Sequence, residues 1–123
     1  MDKIYLNNTL PDIFLSDNKI CSEIWKQDIC FERGQYYLIE ANSGTGKSSL
    51  CSYLYGYRDD YSGTIQFDDS SIRNRKASFW DEIRCRHLSL LFQELCLFPE
   101  LTAMENVLLK NNLTHHKLSL IHI

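Results

Sequence analysis

The chain has 123 residues, 44% of them hydrophobic, 24% charged and 12% aromatic. That length suits one compact domain rather than two, and five Gly with two Pro exclude collagen-like, low-complexity and disordered classes. Thirteen Lys and Arg against sixteen Asp and Glu leave a net charge of -3, without the basic excess that nonspecific nucleic-acid binding or attraction to anionic lipid requires.

No stretch approaches the ~18 apolar residues of a membrane span. Residues 1–8 lose their apolar character too early for a signal peptide. The five cysteines, Cys21, Cys30, Cys51, Cys85 and Cys96, are odd in number and widely spaced, with no C-x-x-C pair. They read as reduced, mostly buried thiols of a cytoplasmic protein.

In chain order, residues 4–6 alternate weakly and are expected as an edge strand. Residues 28–32 read as a strand, Arg33-Gly34 as a turn, and residues 35–40 as a second strand whose nearly continuous hydrophobicity suits a buried position. A Gly/Ser/Asn loop over 41–46 leads into a helix over 47–55, stopped by Gly56. Gly63 precedes a strand over 64–67, and 68–71 is turn chemistry. Ser78, with Asp81 three residues on, is expected to cap a helix over 79–86. Residues 88–92 read as a strand. Thr102-Ala103-Met104-Glu105 is a capping box for a helix reaching about Lys110. Strands first, then helix and strand in alternation, predict an α/β domain with an antiparallel β portion at its N-terminal side. There is no internal repeat and no linker-like stretch.

The strongest motif is Ala41-Asn42-Ser43-Gly44-Thr45-Gly46-Lys47-Ser48. It fits the phosphate-loop pattern G-x-x-x-x-G-K-[ST] with Ala41 in place of the first Gly. A tight loop after a strand turns backbone N–H groups inward as an anion nest, and the following helix aims its positive end at the same point. Lys47 supplies a point charge for the β- and γ-phosphates, and the Ser48 hydroxyl is a ligand for Mg²⁺. A glycine-rich turn without a ligand would need neither Lys47 nor Ser48.

A second segment runs from Leu88 through Phe92-Gln93, Leu97-Phe98-Pro99-Glu100-Leu101-Thr102 and Glu105-Asn106-Val107. Ligands of open α/β sheets sit at the carboxyl ends of strands, where Gln93 is expected. By itself Gln93 reads better as a solvated loop residue.

Together these two segments resemble the ATP-binding cassette (ABC) ATPase family, over residues 4 to about 110. Phe31-Glu32-Arg33-Gly34, Ser62-Gly63-Thr64-Ile65 and Arg86 are further matching pieces. The flavour is that of the compact lipoprotein-export and cell-division cassettes. The resemblance implies a P-loop NTPase fold with an N-terminal antiparallel β subdomain. It implies triphosphate binding by Asn42, Ser43, Gly44, Thr45, Gly46, Lys47, Ser48 and Ser49, and Mg²⁺ ligation by Ser48 and Gln93. Gln93 would open the family's Q-loop, sensing the γ-phosphate and a partner protein. An aromatic upstream of the loop stacks on adenine in this family. Phe14 is the expected occupant, with Tyr5 and Trp25 as alternatives and plain core packing as the other reading of Phe14.

The family's second half, with its signature stretch, its Walker B Asp, its catalytic Glu and a late His, has no counterpart here. After Gln93 there is no Asp, and the acids are Glu94, Glu100 and Glu105. The expectation is therefore nucleotide binding without an organised base, with residues 1–117 as a partial nucleotide-binding domain. Residues 118–123 are read as a non-native or truncated tail. The full-length parent would hydrolyse ATP, dimerise around the nucleotide and drive a membrane permease from the cytoplasmic face. The alternatives are another P-loop enzyme, such as a nucleoside monophosphate kinase, or an inactive nucleotide-binding fragment.

His115-His116 and His122 lack partners at metal-ligand spacing. Arg73, Arg75, Lys76, Arg84 and Arg86 are interrupted by acids and read as a solvated face rather than a nucleic-acid surface. Cys51, just behind the phosphate loop, is expected as a packed helix thiol.

Overall fold

Alternating apolar and polar residues form a sheet when one face can be buried, and the N-terminal half of this chain does so. The computed structural model describes residues 1–16, 21–42, 44, 46–94 and 96–114. Its strands are β1 (Lys3–Pro11), β2 (Asp28–Glu32), β3 (Tyr61–Phe67) and β4 (Ser70–Ser71), and its helices are α1 (Lys47–Leu54), α2 (Ala77–Arg86) and α3 (Ala103–Thr114). The sheet has four strands in the order β2-β1-β3-β4, every pair antiparallel.

Register explains the buried face. Ile4 lies opposite Phe31 on one side and Phe67 on the other, and Leu6 lies between Ile29 and Ile65. These six side chains form one apolar ladder, with Leu6, Ile65 and Phe67 buried and the others packed against them. Leu50 and Tyr53 of α1 and Ile83 of α2 belong to the same core. Tyr5, paired with Cys30 and Gln66, lies on the other face.

The expected edge strand at 4–6 is corrected: β1 is nine residues long and interior to the sheet. Its polar positions, Tyr5 and Asn7, occupy the less apolar face, which weakens the hydrophobic signal without weakening the pairing. The register of β1 against β3 shifts between Asn7 and Leu10, where Asn8 takes φ 50°. The backbone of Gly63 packs into that bulge at φ 81°. Thr9, fully buried beside it, donates its hydroxyl to the Thr64 carbonyl at 3.1 Å.

Two expected strands do not form. Residues 35–40 and 88–92 have no ladder partner among the described residues. Tyr36, Leu38 and Leu91 are among the most exposed large side chains. A strand exists only with a partner, and hydrophobicity cannot supply one. Residues 35–40 instead lie near β2 through side chains. The Tyr37 hydroxyl accepts a hydrogen bond from the Glu32 N–H at 2.9 Å, and its ring meets Phe31 edge-on at 5.0 Å. The parallel part of the expected α/β fold is thus absent from the described residues, while the antiparallel part is present.

The helices largely follow their signals. The capping box is closed in both directions: the Thr102 hydroxyl accepts from the Glu105 N–H at 3.1 Å, and the Glu105 carboxylate accepts from the Thr102 N–H at 3.2 Å. The α2 start is corrected. Lys76, not Ser78, is its N-cap and makes no side-chain cap bond. Packing of Phe79 and Trp80 against Phe67 offers a better account of the start than a hydroxyl does.

The cysteines are free but not buried: Cys30 and Cys85 are half-buried, and Cys21, Cys51 and Cys96 are exposed. α1 turns Leu50 and Tyr53 into the core and leaves Cys51 outside, against the expectation of a packed thiol. Among the described residues no helix is long and apolar enough to cross a membrane. Residues 115–123, with the three histidines and the expected tail, lie outside the described residues.

Candidate functional site

The loop preceding α1 carries the strongest motif. Gly46 is the N-cap of α1 with φ 102°, a left-handed conformation that a β-carbon penalises. A glycine cap brings no side-chain acceptor to the first-turn N–H groups, and no acidic residue lies in that turn. The helix therefore presents its positive end unneutralised by its own sequence. Lys47, exposed, donates its ammonium to the Ala41 carbonyl and so ties the start of the loop to the start of the helix. Asn42 and Gly44 are exposed. Ser43 and Thr45 lie outside the described residues.

Beside this loop is a cavity of about 640 Å³, within the usual range for small-molecule sites. Phe14, Trp25, Ile39, Asn42, Gly44, Gly46 and Lys47 are among its lining. Phe14 closes a short 3-10 turn, Asp12–Phe14, that continues β1. The structure thus brings together residues from the end of β1, the turn before β2 and the phosphate loop. The lining includes aromatic and apolar side chains, a helix N-terminus and an ammonium, together with Glu23 and Glu40. The aromatic side chains, helix N-terminus and ammonium suit a flat apolar ring joined to an anion.

The other candidates are placed as follows. Trp25 lines the cavity but is only 6% exposed, so little of its ring is available for stacking. Tyr5 is half-buried on β1 and does not line the cavity. Ser48 is exposed at the first turn of α1. Ser49, half-buried, accepts a hydrogen bond from Arg58 Nη1 at 3.1 Å. Arg58 in turn holds Asp60 through Nε and Nη2, which keeps the Asp60 carboxyl below its ordinary range. Burial pushes the Tyr53 hydroxyl upward, and it donates to the Asp60 carbonyl at 3.1 Å. Gln93 is exposed and does not line the cavity, and Phe92 before it stacks on Tyr57 at 6.3 Å.

The Arg58 link to Ser49 and the proximity of Trp25 to the loop are not legible in the motif, because each joins it to a residue outside its span. Arg73 lies 4.2 Å over the Tyr61 ring, and Arg84 donates to the Tyr55 carbonyl at 3.1 Å, so these members of the basic cluster hold the chain itself. Among the described residues no group of three or more His, Cys, Asp or Glu could hold a metal ion. A divalent cation here would need the oxygens of a bound phosphate beside the Ser48 hydroxyl.

The family model described as ABC transporter matches residues 26–122. The lipoprotein-releasing system ATP-binding protein LolD of Syntrophotalea carbinolica is 33% identical over 78% of this chain and 42% of its own length. The bacitracin export ATP-binding protein BceA of Halalkalibacterium halodurans is 33% identical over 71% of this chain and 34% of its own. An uncharacterized ABC transporter ATP-binding protein of Escherichia coli, YbbA, is 32% identical over 65% of this chain and 35% of its own. The chain therefore spans less than half the length of these curated relatives. No solved structure matches it.

Proposed function

Since this chain belongs to the ABC transporter family, we propose that it binds Mg·ATP and forms part of the nucleotide-binding domain of a transport ATPase. The observation that carries this reading is the single cavity lined by Phe14, Gly44, Gly46 and Lys47. Adenine stacks on Phe14. The triphosphate runs over the backbone from Asn42 to Ser49, with Lys47 leaving the Ala41 carbonyl for the phosphate oxygens. Ser48 is the first Mg²⁺ ligand on the chain; Gln93, which does not line the cavity here, would join it only once the segment after residue 92 is brought to the loop by the complete domain. Family membership sets aside the kinase alternative, to which residues 92–107 have no use.

Hydrolysis is assigned to residues this chain does not hold. It contains no Asp after Gln93, and by the family resemblance the Mg²⁺-holding Asp and activating Glu would lie in the part of the relatives outside the 42% that it matches. We read residues 1–117 as a partial nucleotide-binding domain on that basis. Its relatives' names speak of lipoprotein release and bacitracin export. The whole protein is accordingly proposed to dimerise around ATP and drive a membrane permease from the cytoplasmic face. Residues 35–40 and 88–92 would then find their strand partners within the complete domain.

Titration calorimetry with Mg·ATP tests the binding claim. Lys47→Ala is expected to weaken binding by about 1.5–3 kcal/mol, the worth of a hydrogen bond to a charged group. Equal, weak heats from both chains would refute it.

A further inference from the structure

The geometry points to Trp25 as a positioning residue of the phosphate loop, one that holds Gly46 in its nucleotide-binding conformation rather than touching the base. This inference rests on the nucleotide-binding reading above and deepens it.

The indole lies against Gly46, nearer than a side chain there could tolerate. A β-carbon on Gly46 would fall 2.9 Å from Cζ2, 3.0 Å from Nε1 and 3.2 Å from Cε2 of Trp25. Gly46 takes φ 102°, one of several conformations open to glycine, so its own chemistry does not select it. The flat, buried ring packed against it narrows that choice.

Trp25 is itself fixed to the sheet. Its N–H and that of Ile24 both donate to the Ser22 hydroxyl at 3.0 Å. The next residue, Lys26, donates its N–H to the Thr9 carbonyl of β1 at 3.0 Å, and Asn8 donates to the Gln27 carbonyl at 3.2 Å. The turn carrying Trp25 is therefore bonded to β1 just after the indole, through Lys26 and Gln27, and closed on itself before it by Ser22. Its ring passes that position on to the one residue that caps α1. Trp25 also lines the cavity with Phe14 and Lys47, so it belongs to the wall of the site whose loop it backs. A loop held in advance in its binding conformation forgoes an ordering cost when the anion arrives. Large rigid aromatics supply such a backing with few rotatable bonds to freeze.

The test separates loop positioning from base contact with two ligands, Mg·ATP and inorganic tripolyphosphate, which has no base. The chain has two tryptophans, so Trp80→Phe leaves Trp25 as the lone indole reporter. In that chain, saturating tripolyphosphate is expected to shift Trp25 emission and reduce its quenching by acrylamide. Unchanged emission and quenching would overturn the inference, without Trp25 having been altered. Trp25→Leu is then expected to weaken both ligands by the same factor, about tenfold, as the competent loop conformation becomes a minor state. Trp25→Phe, which keeps a flat ring against Gly46, stays within about twofold of the parent. Phe14→Ala weakens Mg·ATP and spares tripolyphosphate. Affinities are read below the unfolding temperature of each variant. A Trp25→Leu chain that loses Mg·ATP but keeps tripolyphosphate would make Trp25 a base contact and overturn the inference. So would one that keeps both. If the parent chain binds neither ligand, the nucleotide-binding reading itself fails, and this inference with it.

Discussion

Gly63 lies directly against the carbonyl of Asn8: a β-carbon on Gly63 would fall 2.3 Å from that oxygen. The two residues face each other across the bulge between β1 and β3, the pair of strands that carries most of the buried ladder. Both take positive φ, 50° for Asn8 and 81° for Gly63. Gly63→Ala therefore adds left-handed strain to a backbone clash, at a cost on the order of 3 kcal/mol. Urea unfolding should show a lower midpoint at unchanged slope. A loss below about 1 kcal/mol would mean that the bulge repacks freely.

Asp68 predicts the acid limb of stability. Its carboxylate accepts hydrogen bonds from the backbone N–H of Asp2 at 2.9 Å and of Lys3 at 3.0 Å. Those bonds hold its pKa below the ordinary 3.8, with a smaller contribution from the N-terminal ammonium. A depressed folded value means that the stabilisation is complete above the ordinary value and is lost as pH falls through the folded one. Asp68→Asn keeps the shape and removes the charge. Between about pH 5 and pH 2 its thermal midpoint should fall less steeply than the parent's. Parallel curves would sink the assignment.

Thr102 and Glu105 close α3 reciprocally, so Thr102→Ala removes an acceptor for the Glu105 N–H. The expected cost is about 1 kcal/mol. Amide hydrogen exchange is the direct readout: protection at the first turn of α3 should drop while that of β1 and β3 stays level. Uniform loss would show that the cap serves the whole chain instead.

Phe14 predicts the energetics of the base. Stacking on an aromatic is worth about 1–3 kcal/mol per base, so Phe14→Ala should weaken Mg·ATP by roughly tenfold or more. Phe14→Tyr should retain affinity. If Phe14→Ala binds Mg·ATP as the parent does, Phe14 is core packing and adenine lies elsewhere.

The contrast between α1 and residues 35–40 explains what could be read in advance. The phosphate-loop motif and the start of α1 are local: Gly46, Lys47 and Ser48 lie within one turn, so the motif is legible without the segments that pack on it. The same holds for the capping box at Thr102. Residues 35–40 and 88–92 have the composition of buried strands, yet composition does not provide the neighbour whose N–H and C=O groups complete a ladder. The cysteines depart from their expected burial for a related reason, since burial belongs to a face and not to a residue type.

By itself, then, the sequence determined the family, the phosphate-loop motif and the capping box that opens α3. All of these rest on residue identity at short spacing. Only the tertiary structure decided that β1 is central rather than an edge, that Phe14 and Lys47 line one cavity while Gln93 does not, and that Trp25 backs Gly46. Each of those depends on which distant segments meet, and register and burial settle that only when the sheet is assembled.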